Sequence, residues 1–379
     1  MLGKVEIDPS PVGTVEVASL DSWNPVEAAR KNADVPCLRR SGSLRRLERG
    51  PRCVANPVQL KQALASAVER LDAADVGSPR MNAEVLLMFV LGADRAYLYA
   101  HPERELTPEE AARYEEVLAQ RATGMPSQYI TGHQEFWGLD FVVSPAVLIP
   151  RPETEHLVEA VLELARGIQR PKLVDVGTGS GCVALALAHE LPDAEVFAVD
   201  LSAEALDIAR ANAARLQLDK RVRFLQCNVL DPVLDQNPPV IPSDAFSPSL
   251  EPAQSLSKGS CFSEFCDFDF VVSNPPYVAF SEADKVERSV QEFEPTMAVF
   301  AGLHGTDVIV PLIEQAHRAL KPGGWLALEI GYSMRNDVVN LLSPTMWDDV
   351  RVMPDLQGIP RVVAAKKKAI SPSHGSAVL

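Results

Sequence analysis

Asn274-Pro275-Pro276-Tyr277 carries the most specific chemistry in the chain. Two prolines stiffen the turn and remove backbone donors. A pair of acceptors remains, the Asn274 side-chain oxygen and the Pro275 carbonyl. An amide or exocyclic amine that gives both –NH₂ hydrogens to this pair has its nitrogen held and turned towards an electrophile. Tyr277 adds a flat face for stacking a planar group. A plain Pro-Pro turn capped by asparagine accounts for the residues less well, because the turn falls at the carboxyl edge of a sheet, where α/β proteins bind ligands.

Asp175-Val176-Gly177-Thr178-Gly179-Ser180-Gly181 lies directly between a strand and a helix. Its glycines allow a tight turn and close approach to a ligand beside the amides of a helix N-terminus. The spacing is G-x-G-x-G, with Cys182 where a dinucleotide fingerprint would continue differently; on its own it is also compatible with a mere strand-to-helix turn. Asp200 closes the next strand, 19 residues after Gly181. A carboxylate there can accept two ribose hydroxyls. It could instead cap a helix or sit in a loop, since Ser202 follows, but its position after the glycine loop favours nucleoside binding.

These segments need a scaffold, and hydrophobic periodicity supplies one. Strands are expected at Leu173–Val176, Val196–Val199, Val222–Leu225, Phe268–Val272 and Trp325–Ile330. Helices fall between them at Cys182–Glu190, Ala203–Leu216 and Val308–Leu320. The alternation implies an α/β fold with a parallel, doubly wound sheet. Upstream, Leu60, Leu64, Val68 and Leu71 recur at helical spacing, as do Val85, Leu86, Phe89 and Val90. Thr107-Pro108-Glu109-Glu110 is a helix start with a capping hydroxyl, a first-turn proline and two acids. Residues 56–128 therefore read as a small helical domain, whose apolar stripes serve a core or a docking face. Two extended runs, Tyr129–His133 and Phe136–Val143, suggest a hairpin linker over 129–149. Arg151–Glu155 then opens a helix, and the α/β domain spans 150–365.

Three segments fall outside this frame. Residues 1–55 lack a sustained period and hold eight basic residues between Arg30 and Arg52. They read as a disordered extension more readily than as a basic arm for RNA. Residues 235–266 contain five prolines and seven serines in 32 residues, the composition of a disordered surface insertion. Residues 366–379, beginning Lys366-Lys367-Lys368, read as a tail.

Composition narrows the function. Of 379 residues, 36 are basic and 51 acidic, a formal charge of −15, which disfavours broad phosphate neutralisation on DNA or RNA. No apolar run of 18 residues exists, so no membrane span is expected. Six scattered cysteines form no CxxC pair and no zinc spacing, so reduced thiols and no metal are expected. Glu6, Asp8, Glu16 and Asp21 interrupt any signal peptide, which points to the cytoplasm.

With these residues in view, the chain over about 56–365 resembles the release factor glutamine methyltransferase family, within the class I S-adenosylmethionine-dependent methyltransferases. The likeness rests on Gln128-Tyr129-Ile130-Thr131-Gly132, Leu148-Ile149-Pro150-Arg151-Pro152-Glu153-Thr154-Glu155, Asp175–Gly181, Asp200 and Ser273–Tyr277. It extends through Phe293-Glu294-Pro295, Leu320–Gly324 and Leu328-Glu329-Ile330-Gly331. The Asn-Pro-Pro-Tyr motif alone is shared with adenine-N6 enzymes; the 148–155 and 128–132 segments narrow it to glutamine.

The resemblance implies a Rossmann-like seven-stranded sheet with a helical substrate-recognition domain. It also implies methyl transfer from S-adenosyl-L-methionine to the side-chain nitrogen of the glutamine in the GGQ loop of class I peptide-chain release factors. Asn274, Pro275, Pro276 and Tyr277 would then be catalytic. Asp175, Gly177, Thr178, Gly179, Ser180, Gly181, Asp200, Val229 and Asn274 would hold the cofactor, Val229 along the adenine. The chain departs from the family at Gln226-Cys227-Asn228, where an acid commonly replaces Asn228, and at Ala301–Asp307. Competing expectations are glutamine methylation of a ribosomal protein, adenine-N6 methylation of nucleic acid, or a silent scaffold; sequence-specific nucleic-acid binding is not expected.

Overall fold

In the first described segment, helices start and stop where local chemistry instructs. The computed structural model describes residues 58–230 and 266–369; the basic extension, almost all of the 235–266 insertion and the end of the tail lie outside them. Helix α1 (Leu60–Ala73) buries Leu60, Ala63, Ala67 and Leu71 on one face. Helix α2 (Pro79–Leu91) has proline in its first turn and ends on Gly92 at φ 60°. Helix α3 (Arg95–Ala100) is capped by Asp94, which accepts from the Tyr97 N–H at 2.8 Å. In α4 (Pro108–Ala122) the Thr107 hydroxyl takes the Glu110 N–H while the Glu110 carboxylate takes the Thr107 N–H, a reciprocal cap. Leu71, Leu86, Leu87 and Leu118 close a core of their own.

The run Tyr129–His133 is not extended as expected. Ser127–Thr131 forms a one-turn helix, α5, between Pro126 and Gly132 at φ 77°. Tyr-Ile-Thr favours strands by composition, but Gly132 in the left-handed region ends a helical turn there. The hairpin is therefore shorter: β1 (His133–Phe136) pairs with β2 (Leu139–Val142). Trp137 and Gly138 turn it with φ 56° and 70°, the two positive angles of a type I′ turn.

After a 3₁₀ turn at Pro152–Thr154, the chain runs through α6 (Glu155–Leu164), β3 (Lys172–Val176), α7 (Cys182–Glu190), β4 (Glu195–Asp200), α8 (Ala203–Arg215) and β5 (Val222–Gln226). It resumes with β6 (Phe268–Ser273), β7 (Val278–Ala279), a 3₁₀ segment at Phe280–Lys285, α9 (Arg288–Phe293), α10 (Thr296–Val299) and β8 (Phe300–Gly302). The last elements are α11 (Ile309–Ala319), β9 (Leu320–Glu329), α12 (Arg335–Leu341), β10 (Trp347–Pro354) and β11 (Pro360–Lys367).

Seven strands form one sheet in the order β10-β11-β9-β6-β3-β4-β5. Strands β9, β6, β3, β4 and β5 run parallel, with β5 at one edge, and β11 and β10 add an antiparallel edge at the other. Residues of one strand alternate between two apolar layers: Leu173 joins one cluster, Val174 and Val176 the other, the period of two that puts a core on both faces. Strand β11 corrects the expected tail. Lys366 pairs with Trp325 and Lys367 with Trp347. The Lys366 ammonium lies 5.6 Å from the Trp325 ring centre, and Lys367 Nζ donates to the Leu320 carbonyl at 2.6 Å. Their long apolar stems lie along the sheet while the charges find partners.

Candidate active site

Strand order decides where chemistry gathers. From β3 the chain moves outward through β4 and β5, then returns to place β6 on the opposite side of β3. The carboxyl ends of β3 and β6 thus flank the switch in direction, the crevice where open α/β sheets take ligands. The glycine loop leaves β3 there, and Asn274–Tyr277 leaves β6. A cavity of about 520 Å³ opens between them, within the usual range for small-molecule sites.

The glycine loop shapes the floor by conformation more than by donated hydrogen bonds. Gly177, Gly179 and Gly181 have φ of 72°, 56° and 83°. The Gly177 and Thr178 N–H groups both reach the Val199 carbonyl, at 2.9 and 3.0 Å, and the Gly179 N–H reaches Asp200 Oδ2 at 2.8 Å. A Cβ added at Gly177 or Gly179 would meet nothing within 4 Å, so a ligand can approach the backbone. Gly181 differs. It caps α7 and does not line the cavity; its missing Cβ makes room for Leu185 and Ala209, at 3.1 and 3.2 Å.

Under the loop, buried Asp175 accepts from the Thr178 hydroxyl at 2.7 Å and the Ala184 N–H at 3.1 Å, both on Oδ2. Burial pushes its carboxyl up to about 7 against those two bonds, with nearby Asp200 adding in the same direction. Asp200 spends one bond per oxygen on Gly179 and Ser202, which leaves lone pairs on both for hydroxyl donors. Burial raises its pKa as well. Thr178, Ser180 and Cys182 also line the cavity. Burial pushes the Cys182 thiol up to about 12, so it is neutral and no nucleophile at ordinary pH.

Leu201, Val229, Phe300 and Leu312 give the cavity apolar lining. Val229 stands at φ 55°, strained for a β-branched residue and a mark of functional sites. The Leu230 N–H bonded to Gln315 Oε1 at 2.6 Å holds the bend. Asn228 lines the cavity as well.

At the β6 side, the Ser273 hydroxyl donates to the Val176 carbonyl at 2.7 Å. Asn274, Pro275 and Pro276 line the cavity; Tyr277 does not. The Tyr277 ring packs behind the turn against Gly331, where a Cβ would lie 3.2 Å from the ring. Burial pushes its phenol up to about 12, so it stays neutral. Asn274 Nδ2 donates to Thr154 Oγ1 at 3.0 Å. Its Oδ1 takes no bond among the described residues and remains an open acceptor.

Two residues matter here that sequence reasoning gave no role. Thr154 is 2% exposed and lines the cavity. Glu294 is buried, accepting from the Ile149 N–H at 3.1 Å and from the Arg151 guanidinium, and so locks the 149–154 segment over the site. Both stand in segments that carry the family resemblance, Leu148–Glu155 and Phe293–Pro295, and that was their only signal in the sequence. Together the geometry can grip vicinal hydroxyls, hold a planar ring and accept an –NH₂ group.

Known proteins resemble this chain over both the helical segment and the α/β domain. Residues 62–132 match the PrmC N-terminal domain family, and 170–337 match a methyltransferase domain family. The chain is 53% identical over 308 residues to the release factor glutamine methyltransferase of Koribacter versatilis, covering 81% of this chain and 98% of that one. It is 39% identical to that of Moorella thermoacetica, covering 82% and 99%. For that of Nitratidesulfovibrio vulgaris the identity is 36%, covering 83% and 97%. At such identity over nearly the whole length of its relatives, the chain belongs to the release factor glutamine methyltransferase family.

Proposed function

We propose that this protein methylates the side-chain nitrogen N5 of the glutamine in the GGQ loop of class I peptide-chain release factors, with S-adenosyl-L-methionine as donor, in the cytoplasm. The observation that carries this reading is the fixed Asn274 amide. With Nδ2 engaged by Thr154, the end offered to the cavity is an acceptor, which suits a substrate –NH₂ and opposes a substrate carbonyl.

The bound donor supplies a methyl group on a sulfonium, already a strong electrophile. An amide nitrogen is a poor nucleophile because its lone pair is delocalised. The protein's work is therefore alignment. Asn274 Oδ1 and the Pro275 carbonyl take the two amide hydrogens and leave the nitrogen facing the methyl group; positioning of this kind is worth ~7–11 kcal/mol. The same two acceptors offset the positive charge that develops on nitrogen. Pro276 keeps the turn rigid, and Tyr277 bounds the amide pocket from behind. Asp175, Gly177, Thr178, Gly179, Ser180 and Gly181 form and support the wall for the methionine and ribose end. Asp200 takes the ribose hydroxyls, and Val229 lies along the adenine. The helical residues from 58 to 128 recognise the release factor.

Methyl incorporation from labelled S-adenosylmethionine tests this directly. Recombinant class I release factor takes up label, and its GGQ glutamine-to-alanine variant does not. Label on ribosomes or DNA instead would overturn the substrate while leaving the donor.

A further inference from the structure

Asn212 of α8 is fully buried, and its side chain gives every hydrogen it has to backbone. Nδ2 donates to the Val142 carbonyl at 3.0 Å and to the Ser180 carbonyl at 2.9 Å, while Oδ1 accepts the Val142 N–H at 2.7 Å. Val142 ends β2 of the linker hairpin, and Ser180 belongs to the glycine loop. The two partners lie 70 and 32 residues before Asn212 in the sequence. We propose that Asn212 is a positioning residue for the methyl donor: by holding Val142 and Ser180 at once, it fixes the glycine loop against the linker in the shape that binds S-adenosyl-L-methionine. The inference rests on the reading that the glycine loop holds this donor.

The residue type follows from the bonds. One point in the interior must take an N–H and serve two carbonyls. A carboxamide offers two donor hydrogens and an acceptor from one neutral, planar group, whereas an ionised carboxylate has no donor and a hydroxyl has one hydrogen. Pairing with both backbone groups of Val142 fixes the plane of the amide, so its remaining hydrogen has one direction left, towards Ser180. Linked bonds of this kind act as a unit.

The rest of the helix brings Asn212 within reach. Ala205, Ala209 and Asn212 follow at spacings of four and three, which places them on one face of α8, and all three are buried. Ala209 packs on Gly181, where an added Cβ would stand 3.2 Å from its own. Ala205 joins Val143, Val147 and Ile149, which follow the hairpin. One face thus touches both backbone runs, two small residues allowing close approach and one amide making the bonds. Val147, Ser180 and Ala205 all line the cavity, so a shift in this joint reaches the site. Arg215, three residues further, bonds Asp140 and His133 Nδ1, the latter at 3.0 Å; both partners lie in the hairpin, which makes this residue a comparison supplied by the same helix.

Calorimetric titration of the full chain with S-adenosylhomocysteine tests this, because it reads affinity and the number of sites separately. Asn212→Ala should weaken binding roughly tenfold or more, and Arg215→Ala should bind as the parent does. With release factor as substrate, the KM for S-adenosylmethionine should rise in Asn212→Ala while kcat at saturating donor stays near the parent value. Asn212→Ser, which keeps one hydrogen for two carbonyls, should show the same split in milder form and replaces the alanine variant if that one does not fold. Fewer sites at parent affinity would overturn the positioning role and leave Asn212 to the fold alone, as would loss of folded protein in both variants. Equal weakening in Arg215→Ala would trace the effect to the hairpin as a whole and overturn it too. A parent chain that binds no S-adenosylhomocysteine would instead overturn the donor reading on which the inference stands.

Discussion

The Ser273 hydroxyl donates to the Val176 carbonyl at 2.7 Å, joining two strand ends that lie 97 residues apart in sequence. One end carries the glycine loop and the other the Asn-Pro-Pro-Tyr turn, so this buried bond ties the two just past the last pair of the β3–β6 ladder. Ser273→Ala should cost about 1 kcal/mol in stability, the net worth of such a bond. A lower urea midpoint with an unchanged slope would show it; an unchanged midpoint would mean that the backbone ladder holds the two strand ends without this bond.

Removing the acceptor itself should act on chemistry and not on donor binding. Asn274→Ala is expected to lower kcat by roughly 10²–10³-fold, by analogy with loss of one preorganised charge-stabilising group. Calorimetric binding of S-adenosylhomocysteine should stay near the parent value. Equal damage to both would remove Asn274 from the role given to it.

The 301–307 segment needs the second of its two glycines. A Cβ at Gly305 would stand 2.6 Å from the Tyr277 carbonyl oxygen, too close for backbone to tolerate. Gly305→Ala should displace the turn and lower kcat by up to roughly 100-fold, the penalty for a misplacement of about 1 Å. Parent-like turnover would show that the turn can shift freely.

Much of this architecture was legible before the structure, and unevenly so. Cys182–Glu190 has its expected bounds, and Thr107 caps α4 as its neighbours foretold, because both depend on local chemistry. The antiparallel edge was not legible. In β10 the residues Asp348, Asp349, Val350 and Arg351 are all exposed, so no alternating pattern marks a strand, and the lysines of β11 resemble a tail. At the site, residue types at strand ends were readable, since topology alone brings them together. The Thr154–Asn274 bond spans 120 residues, and no local pattern encodes it.

Stability should carry an inverted pH signature. Asp175 and Glu329 are both pushed up to about 7 by burial, above the ordinary carboxylate range near 4. Between pH ~4 and ~7 the folded state keeps protons that the unfolded state has released, so these two groups stabilise fully at low pH and less as pH rises. Replacing both, as Asp175→Asn with Glu329→Gln, should remove that component. Urea midpoints at pH 5 and pH 7.5 should therefore fall less in the double variant than in the parent; an equal fall in both would mean that the carboxyls are ionised throughout.

Chelation should leave turnover unchanged, since a sulfonium needs no Lewis acid to react. Among the described residues no cluster of three or more His, Cys, Asp or Glu side chains is arranged to hold a metal ion. Loss of activity with EDTA, restored by one divalent ion, would contradict this.

The strand order has a last consequence, for the chain as it is made. Strand β3, at the heart of the finished sheet, is flanked by β4 on one side early in synthesis, while its other neighbour, β6, arrives only with residues up to 97 positions later. At ~5–20 residues per second, that interval lasts roughly 5–20 s. Throughout it, Leu173, Val174 and Val176 stand on an unpaired parallel edge, which is a template for wrong partners. A nascent chain stalled between residues 230 and 268 should thus be the most aggregation-prone form of this protein, and the one with the greatest need of a chaperone.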